Sequence, residues 1–126
     1  MNVVPKQILV IEDDTLITLM YQSALASSNF ELNIVSDGQS GWDFMQTNTP
    51  DLVILDFMLP KLNGIEILKK MRADLRLKDI PVILMSSLSD EADKARAMEA
   101  GATLYWVKNE VNMVDFGNKI SEVIGQ

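Results

Sequence analysis

The sequence predicts an α/β fold: five βα units wound into a doubly wound, five-stranded parallel sheet with helices on both faces. Three observations predict it. Short apolar runs at residues 8–11, 32–35, 52–55, 82–85 and 103–107 alternate with longer amphipathic segments. Most of these runs are continuously apolar rather than alternating, the pattern of strands covered on both sides. Each intervening segment is long enough to carry the chain back for parallel pairing. No internal repeat, linker or low-complexity stretch divides the 126 residues. A chain of this length forms one domain with its own core.

The elements follow in order. The first run, Ile8-Leu9-Val10-Ile11, ends in the acids Glu12, Asp13 and Asp14. Leu16, Ile17, Met20, Ala24 and Leu25 then mark one stripe of a helix, which Asn29 is placed to end. After the second run, Asp37 and Gly38 open a helix carrying Trp42 and Met45. The third run, Leu52-Val53-Ile54-Leu55, ends in Asp56. Asn63 and Gly64 open the next helix, with Ile65, Leu68 and Met71. The fourth run, Val82-Ile83-Leu84-Met85, ends in Ser86 and Ser87. Ser89 is placed to cap the helix after it, with Asp90 and Glu91 in the first turn, where negative charge meets the positive end of the helix dipole. Gly101 closes that helix. The fifth run contains Leu104-Tyr105-Trp106-Val107 and ends in Lys108. Met113, Phe116, Ile120 and Val123 line the last helix. Trp42, Trp106 and most of the 8 methionines read as packing residues.

Composition removes several kinds of chemistry. The chain has no cysteine, which excludes disulfides, zinc–cysteine sites and a thiol nucleophile. It has no histidine, so the usual general base and the phosphohistidine acceptor are also missing. A phosphoryl carrier here has to be a carboxylate or a hydroxyl. The net charge of −7 argues against direct contact with nucleic acid. No run approaches the roughly 20 apolar residues of a membrane helix. Residues 1–6 lack the apolar stretch of a signal peptide. The expectation is a soluble cytoplasmic domain.

Polar residues end four of the runs. In a doubly wound sheet, sites lie beyond the carboxyl ends of the strands. Glu12, Asp13, Asp56, Ser86 and Lys108 are therefore expected to share one crevice. Three carboxylates placed together repel one another. Mg²⁺ answers that repulsion, because it takes oxygen ligands and is bound through a few carboxylates. With Lys108 beside it, the positive charge matches the negative. A phosphoryl group on Asp56 would then meet metal, ammonium and a serine hydroxyl, and phosphoryl transfer is mostly positioning plus neutralisation. A carboxylate can serve as the nucleophile and form an aspartyl-phosphate. Singly, each acid reads as a helix cap and the lysine as a solvated surface charge. The information lies in their combination and order.

With these residues in place, the chain resembles the receiver domain of two-component response regulators, and is similar to single-domain chemotaxis-type regulators. The resemblance covers about the whole chain, residues 1–126, and implies a flavodoxin-like three-layer sandwich. It makes Glu12 and Asp13 the acid pair of the metal site, Asp13 the firmer ligand and Glu12 acting partly through water. In Asp51-Leu52-Val53-Ile54-Leu55-Asp56-Phe57-Met58-Leu59-Pro60, Asp56 matches the phosphoacceptor and Met58 the position whose backbone carbonyl binds Mg²⁺. Ser86 matches the switch hydroxyl, Tyr105 the switch aromatic and Lys108 the conserved-type lysine. The resemblance implies a phosphorylation-activated switch whose face of fourth helix, fifth strand and fifth helix regulates a protein target. The donor is a histidine kinase or phosphotransfer protein, met by the first helix through Ile17, Met20 and Tyr21. It also allows a homodimer formed on phosphorylation, and implies no enzymatic activity beyond self-phosphorylation and slow dephosphorylation. The alternative is the same fold serving as a binding or dimerisation module without phosphotransfer.

Three departures from the family pattern sharpen these expectations. Asn109 follows Lys108 where most members have a proline, so a trans bond or an altered loop is expected. Met58 and Leu88 occupy two variable positions near the acceptor. Both are apolar and cannot orient an attacking water, which predicts a long-lived aspartyl-phosphate. Asp14 adds a further acid, read as the cap of the first helix.

Overall fold

Strands apolar on both faces need helices on both faces, and the chain supplies them. The computed structural model describes residues 4–59, 61–87 and 90–125. Its strands are β1 (Lys6–Ile11), β2 (Phe30–Val35), β3 (Leu52–Asp56), β4 (Val82–Ser86) and β5 (Leu104–Val107). Its helices are α1 (Thr15–Leu25), α2 (Gly38–Thr47), α3 (Gly64–Arg72), α4 (Glu91–Glu99) and α5 (Phe116–Ile124). The strands form one parallel sheet in the order β2-β1-β3-β4-β5. The order reverses between β1 and β3, which is where such a sheet opens a crevice.

Alternation along each strand splits the core into two layers. Leu9, Ile11, Val53, Leu55, Val82 and Leu84 point to one side and pack with Met45, Leu68, Met71 and Ala97 from α2, α3 and α4. Ile8, Val10, Leu52, Ile54, Ile83 and Met85 point to the other and pack with Tyr21, Leu25, Phe116 and Ile120 from α1 and α5. Burial of this kind contributes roughly 1.5–3 kcal/mol per large apolar side chain.

Side-chain caps start the helices. Asp14, Asp37, Asn63 and Asp90 each accept a backbone N–H of the first turn of α1, α2, α3 and α4. Asp90 is therefore the cap of α4 rather than a first-turn residue, and Ser89, expected in that role, lies outside the described residues. Gly101 follows α4 with φ +106°, a left-handed conformation that ends the helix at no steric cost to glycine.

The structure corrects the reading of α1. The helix buries Thr18, Tyr21 and Leu25, with Ile17 and Ala24 packed beside them. Leu16 and Met20, expected on the core stripe, are 72% and 49% exposed. The buried face is displaced by about one residue because Tyr21 stacks on Phe116 of α5, at 5.2 Å between centroids, and sets the rotation. The helix also stops at Leu25 rather than Asn29. Met113 belongs to a 3₁₀ turn, Met113–Asp115, leading into α5 rather than to α5 itself. Thr103 precedes β5, where its hydroxyl accepts the Val82 N–H. Among the described residues no peptide bond is cis, so Lys108–Asn109 is trans, and the chain turns there through a 3₁₀ segment, Lys108–Glu110.

Candidate functional site: a carboxylate crevice at the switch point

The parallel register brings the acids together. Ile11 of β1 pairs with Leu55 of β3, so the next residues, Glu12 and Asp56, emerge side by side. Glu12 keeps the strand direction for one more residue, its N–H donating to the Val35 carbonyl at 3.0 Å. Glu12 and Asp56 are buried, while Asp13 is exposed at the mouth of the crevice. One carboxylate oxygen from each of Glu12, Asp13 and Asp56 lies within 4.8 Å of the others.

Lys108 enters from the end of β5. Its Nζ lies 2.8 Å from Glu12 Oε1 and 3.2 Å from Asp56 Oδ2. The remaining oxygens are held by backbone. Asp14 N–H donates to Glu12 Oε2 at 3.1 Å, and Met58 N–H donates to Asp56 Oδ1 at 3.2 Å. Asp56 is thus oriented by one ammonium and one amide. Gly64 makes the turn behind it possible, since a Cβ there would sit 2.5 Å from the Asp56 carbonyl oxygen.

The electrostatics follow from burial. Glu12 is pushed up to about 7, chiefly by desolvation; the hydrogen bond from Lys108 opposes this and the charge of Asp56 adds to it. Burial alone would lower the Lys108 ammonium. The hydrogen bond to Glu12 and the charges of Asp56 and Glu12 outweigh it, and its pKa is raised. The Lys108 ammonium thus pairs with two of the three clustered carboxylates, Glu12 and Asp56. Three clustered carboxylates, two of them buried, are the donor set a hard divalent cation satisfies. Glu12, Asp13 and Asp56 would hold it.

The other expected residues are placed as follows. Ser86 is buried at the end of β4, one residue beyond Met85, the register partner of Asp56. Tyr105 is half-buried on β5 and meets the Phe57 ring edge-on at 6.4 Å between centroids. Met58 contributes backbone to Asp56, while its side chain is exposed. Leu88 lies outside the described residues. Tyr21 is 1% exposed, so it cannot meet a partner from α1 and acts instead as a packing residue. One contact escaped the sequence: the Arg96 guanidinium of α4 lies over the Phe57 ring, 5.6 Å from its centroid. No spacing rule links residues on separate elements, so nothing in the chain announces it.

A five-stranded parallel sheet with this strand order and an acid cluster at its switch point defines a flavodoxin-like (βα)₅ domain. The chain belongs to the response regulator receiver domain family, whose model matches residues 8–116. It is 36% identical over 103 residues to the alkaline phosphatase synthesis transcriptional regulatory protein PhoP of Bacillus subtilis, covering 82% of this chain and 42% of PhoP. It is 38% identical over 102 residues to the regulatory protein VanRB of Enterococcus faecalis, covering 81% of this chain and 45% of VanRB. The match thus spans less than half the length of these curated relatives. Among solved structures, the Mn²⁺-bound form of response regulator Rcp1 has a TM-score of 0.83 at 29% identity, covering 94% of this chain and 93% of that one. The receiver domain of a signal transduction histidine kinase from Syntrophus aciditrophicus has a TM-score of 0.86 at 26% identity, covering 95% and 90%.

Proposed function

We propose that this domain is a phosphorylation-activated signalling switch in a two-component phosphorelay, with Asp56 as the phosphoacceptor. The observation that carries the reading is the placement of Lys108 Nζ between Glu12 and Asp56, whose carboxylates cluster with that of Asp13. An Asp56 oxygen attacks the phosphorus of a partner's phosphohistidine. A P–O bond forms, the P–N bond breaks, and the imidazole leaves with a proton from solvent. Bound Mg²⁺ would neutralise charge on the phosphoryl oxygens. Lys108 moves with the new negative charge, Ser86 offers its hydroxyl to it, and Met58 supplies backbone at the metal position. Attraction of Ser86 favours one arrangement of the β4–α4 loop, and Tyr105 follows by rotating inward. The α4–β5–α5 face then presents a different surface to a protein target or to a second copy of the domain. The group shifts this equilibrium only by its differential contact with the two states.

The donor is a histidine kinase or phosphotransfer protein. Exposed Leu16, Leu19 and Met20 on α1, next to the acids, offer it an apolar contact. The domain turns over no external substrate, and because Met58 cannot orient water the aspartyl-phosphate is long-lived. We place the protein in the cytoplasm; among the described residues no helix is long and apolar enough to cross a membrane. The test is incubation with acetyl phosphate and Mg²⁺, followed by intact mass measurement. Wild type gains one acid-labile phosphoryl group and Asp56→Asn gains none. Equal labelling of both, or phosphate release far exceeding the protein present, would overturn the reading.

A further inference from the structure

A second cavity, about 490 Å³, lies between α3 and α4 and shares no residue with the carboxylate crevice. Lys69 and Arg72 of α3 and Arg96 and Glu99 of α4 line it, together with Ile65, Ala73 and Ala100. Three cations thus meet one carboxylate in a chain whose net charge is −7. The three cations are held differently. Arg72 is fixed at the wall, its Nε donating to the Gly101 carbonyl at 2.9 Å and its Nη1 to the Lys78 carbonyl at 3.0 Å. Arg96 is lightly held, with one 3.3 Å bond to Asp93 and 61% of its side chain exposed. Lys69 makes no ion pair among the described residues.

We propose that this cavity binds a phosphate-bearing small molecule. The Lys69 ammonium and the Arg96 guanidinium are groups that grip phosphate oxygens, while Arg72, its Nε and Nη1 bonded to backbone carbonyls, adds fixed positive charge at the wall. Three lining cations meet one lining acid, with Asp93 paired to Arg96 and Asp79 acting on Arg72 from outside the lining, so an anion carrying more than one charge competes for them better than a single carboxylate does. Ile65, Ala73 and Ala100 add apolar surface for the body that carries the phosphate. The volume holds a compact ligand and is short for an extended acidic peptide.

The occupant reaches the switch through Arg96, a step that rests on the phosphoacceptor reading of Asp56. The Arg96 guanidinium lies over Phe57, the residue after Asp56, and Phe57 meets Tyr105 on another side. An oxyanion drawing Arg96 into the cavity loosens α4 from that ring. Ligand and phosphoryl group then bias the same helix, and the coupling is reciprocal.

The probes are ADP and inorganic pyrophosphate, titrated calorimetrically into the whole chain without Mg²⁺. ADP should saturate one site, and pyrophosphate should compete with it. Lys69→Gln and Arg96→Gln, both on exposed side chains, should each weaken ADP by about tenfold, the loss of one charge-assisted contact. Absence of saturable ADP binding, binding unchanged in both variants, or tighter binding of a glutamate-rich peptide would each overturn the proposal. Adding Mg²⁺ and beryllofluoride should then shift ADP affinity in wild type but not in Asp56→Asn. An unshifted affinity with beryllofluoride bound removes the coupling. Failure of beryllofluoride to bind counts against the Asp56 reading and leaves the cavity standing.

Discussion

The C-terminal ends of β3 and β5 share one edge of the sheet and are held in opposite ways. All five residues of β3 are buried, with strands on both sides. All four residues of β5 are half-buried at an open edge. Asp56 therefore stands on the most constrained strand end and Tyr105 on one of the least. Phosphoryl transfer needs an acceptor held close to its productive geometry. A responding element needs a low cost of displacement, which comes from sparse burial. Lys108 joins the two regions, since it is rooted after β5 and ends between the carboxylates. The sheet separates chemistry from response by distance from its centre, and one long side chain spans the gap.

The largest expected effect compares matched truncations. Ile54 of β3 and Leu104 of β5 both face the α1–α5 layer, and both flank β4 through Ile83. Ile54→Ala should cost about 3 kcal/mol of unfolding free energy, and Leu104→Ala about 1 kcal/mol, because less surface and less cavity are involved. Urea unfolding reads both, and equal losses would break the comparison.

Next in size is the pH dependence of the constrained end. Glu12 is raised from 4.5 to about 7 in the folded protein. A carboxyl with a raised folded pKa favours the folded state when protonated, so stability is greatest below the unfolded value and falls as pH rises through the folded one. Metal-free protein should lose on the order of 2 kcal/mol through Glu12 across that window. Thermal unfolding from pH 5 to 8 should show this slope in wild type, a shallower one in Glu12→Gln, and recovery with Mg²⁺ at the alkaline end. Parallel slopes in the two proteins would remove Glu12 as the strained group.

These tests also mark what the chain disclosed. The central strands were legible because burial on both faces leaves a continuous apolar signature, and the polar residues ending them were legible for the same reason. Chain order then placed Glu12, Asp13, Asp56, Ser86 and Lys108 at one edge. The buried face of α1 is not legible in the chain, because Leu16 and Met20 satisfy helical spacing as well as Thr18 and Tyr21 do. The stack of Tyr21 on Phe116, a contact between distant segments, belongs to the face that is buried. The cavity of Lys69, Arg72 and Arg96 was invisible for a related reason. On α3 and α4 separately, these are ordinary basic residues near a helix C-terminus, favourable to the dipole.

A smaller effect concerns the lifetime of the phosphorylated state. Met58 is 67% exposed, and its backbone already serves Asp56. Met58→Asn leaves that backbone in place and adds a polar side chain able to orient water. Hydrolysis of the aspartyl-phosphate should accelerate roughly tenfold, within the lower range of gains from a positioned polar group. Decay is followed by loss of acid-labile phosphate. An unchanged lifetime would show that residue 58 does not govern water access.

The smallest effect is the sharpest test of the separation. Tyr105 meets Phe57 edge-on, whereas the Asp56 carboxylate is held by Lys108 and by the Met58 N–H. Tyr105→Leu removes an edge-to-face pair worth about 1 kcal/mol and leaves those contacts intact. The initial rate of phosphorylation by acetyl phosphate should therefore stay within about twofold of wild type, while amide shifts along α4 and β5 on beryllofluoride binding shrink. If the rate instead falls as steeply as in Lys108→Ala, the ring of Tyr105 is part of what holds Asp56 in place. The half-buried strand would then be shaping the chemistry as well as reporting it.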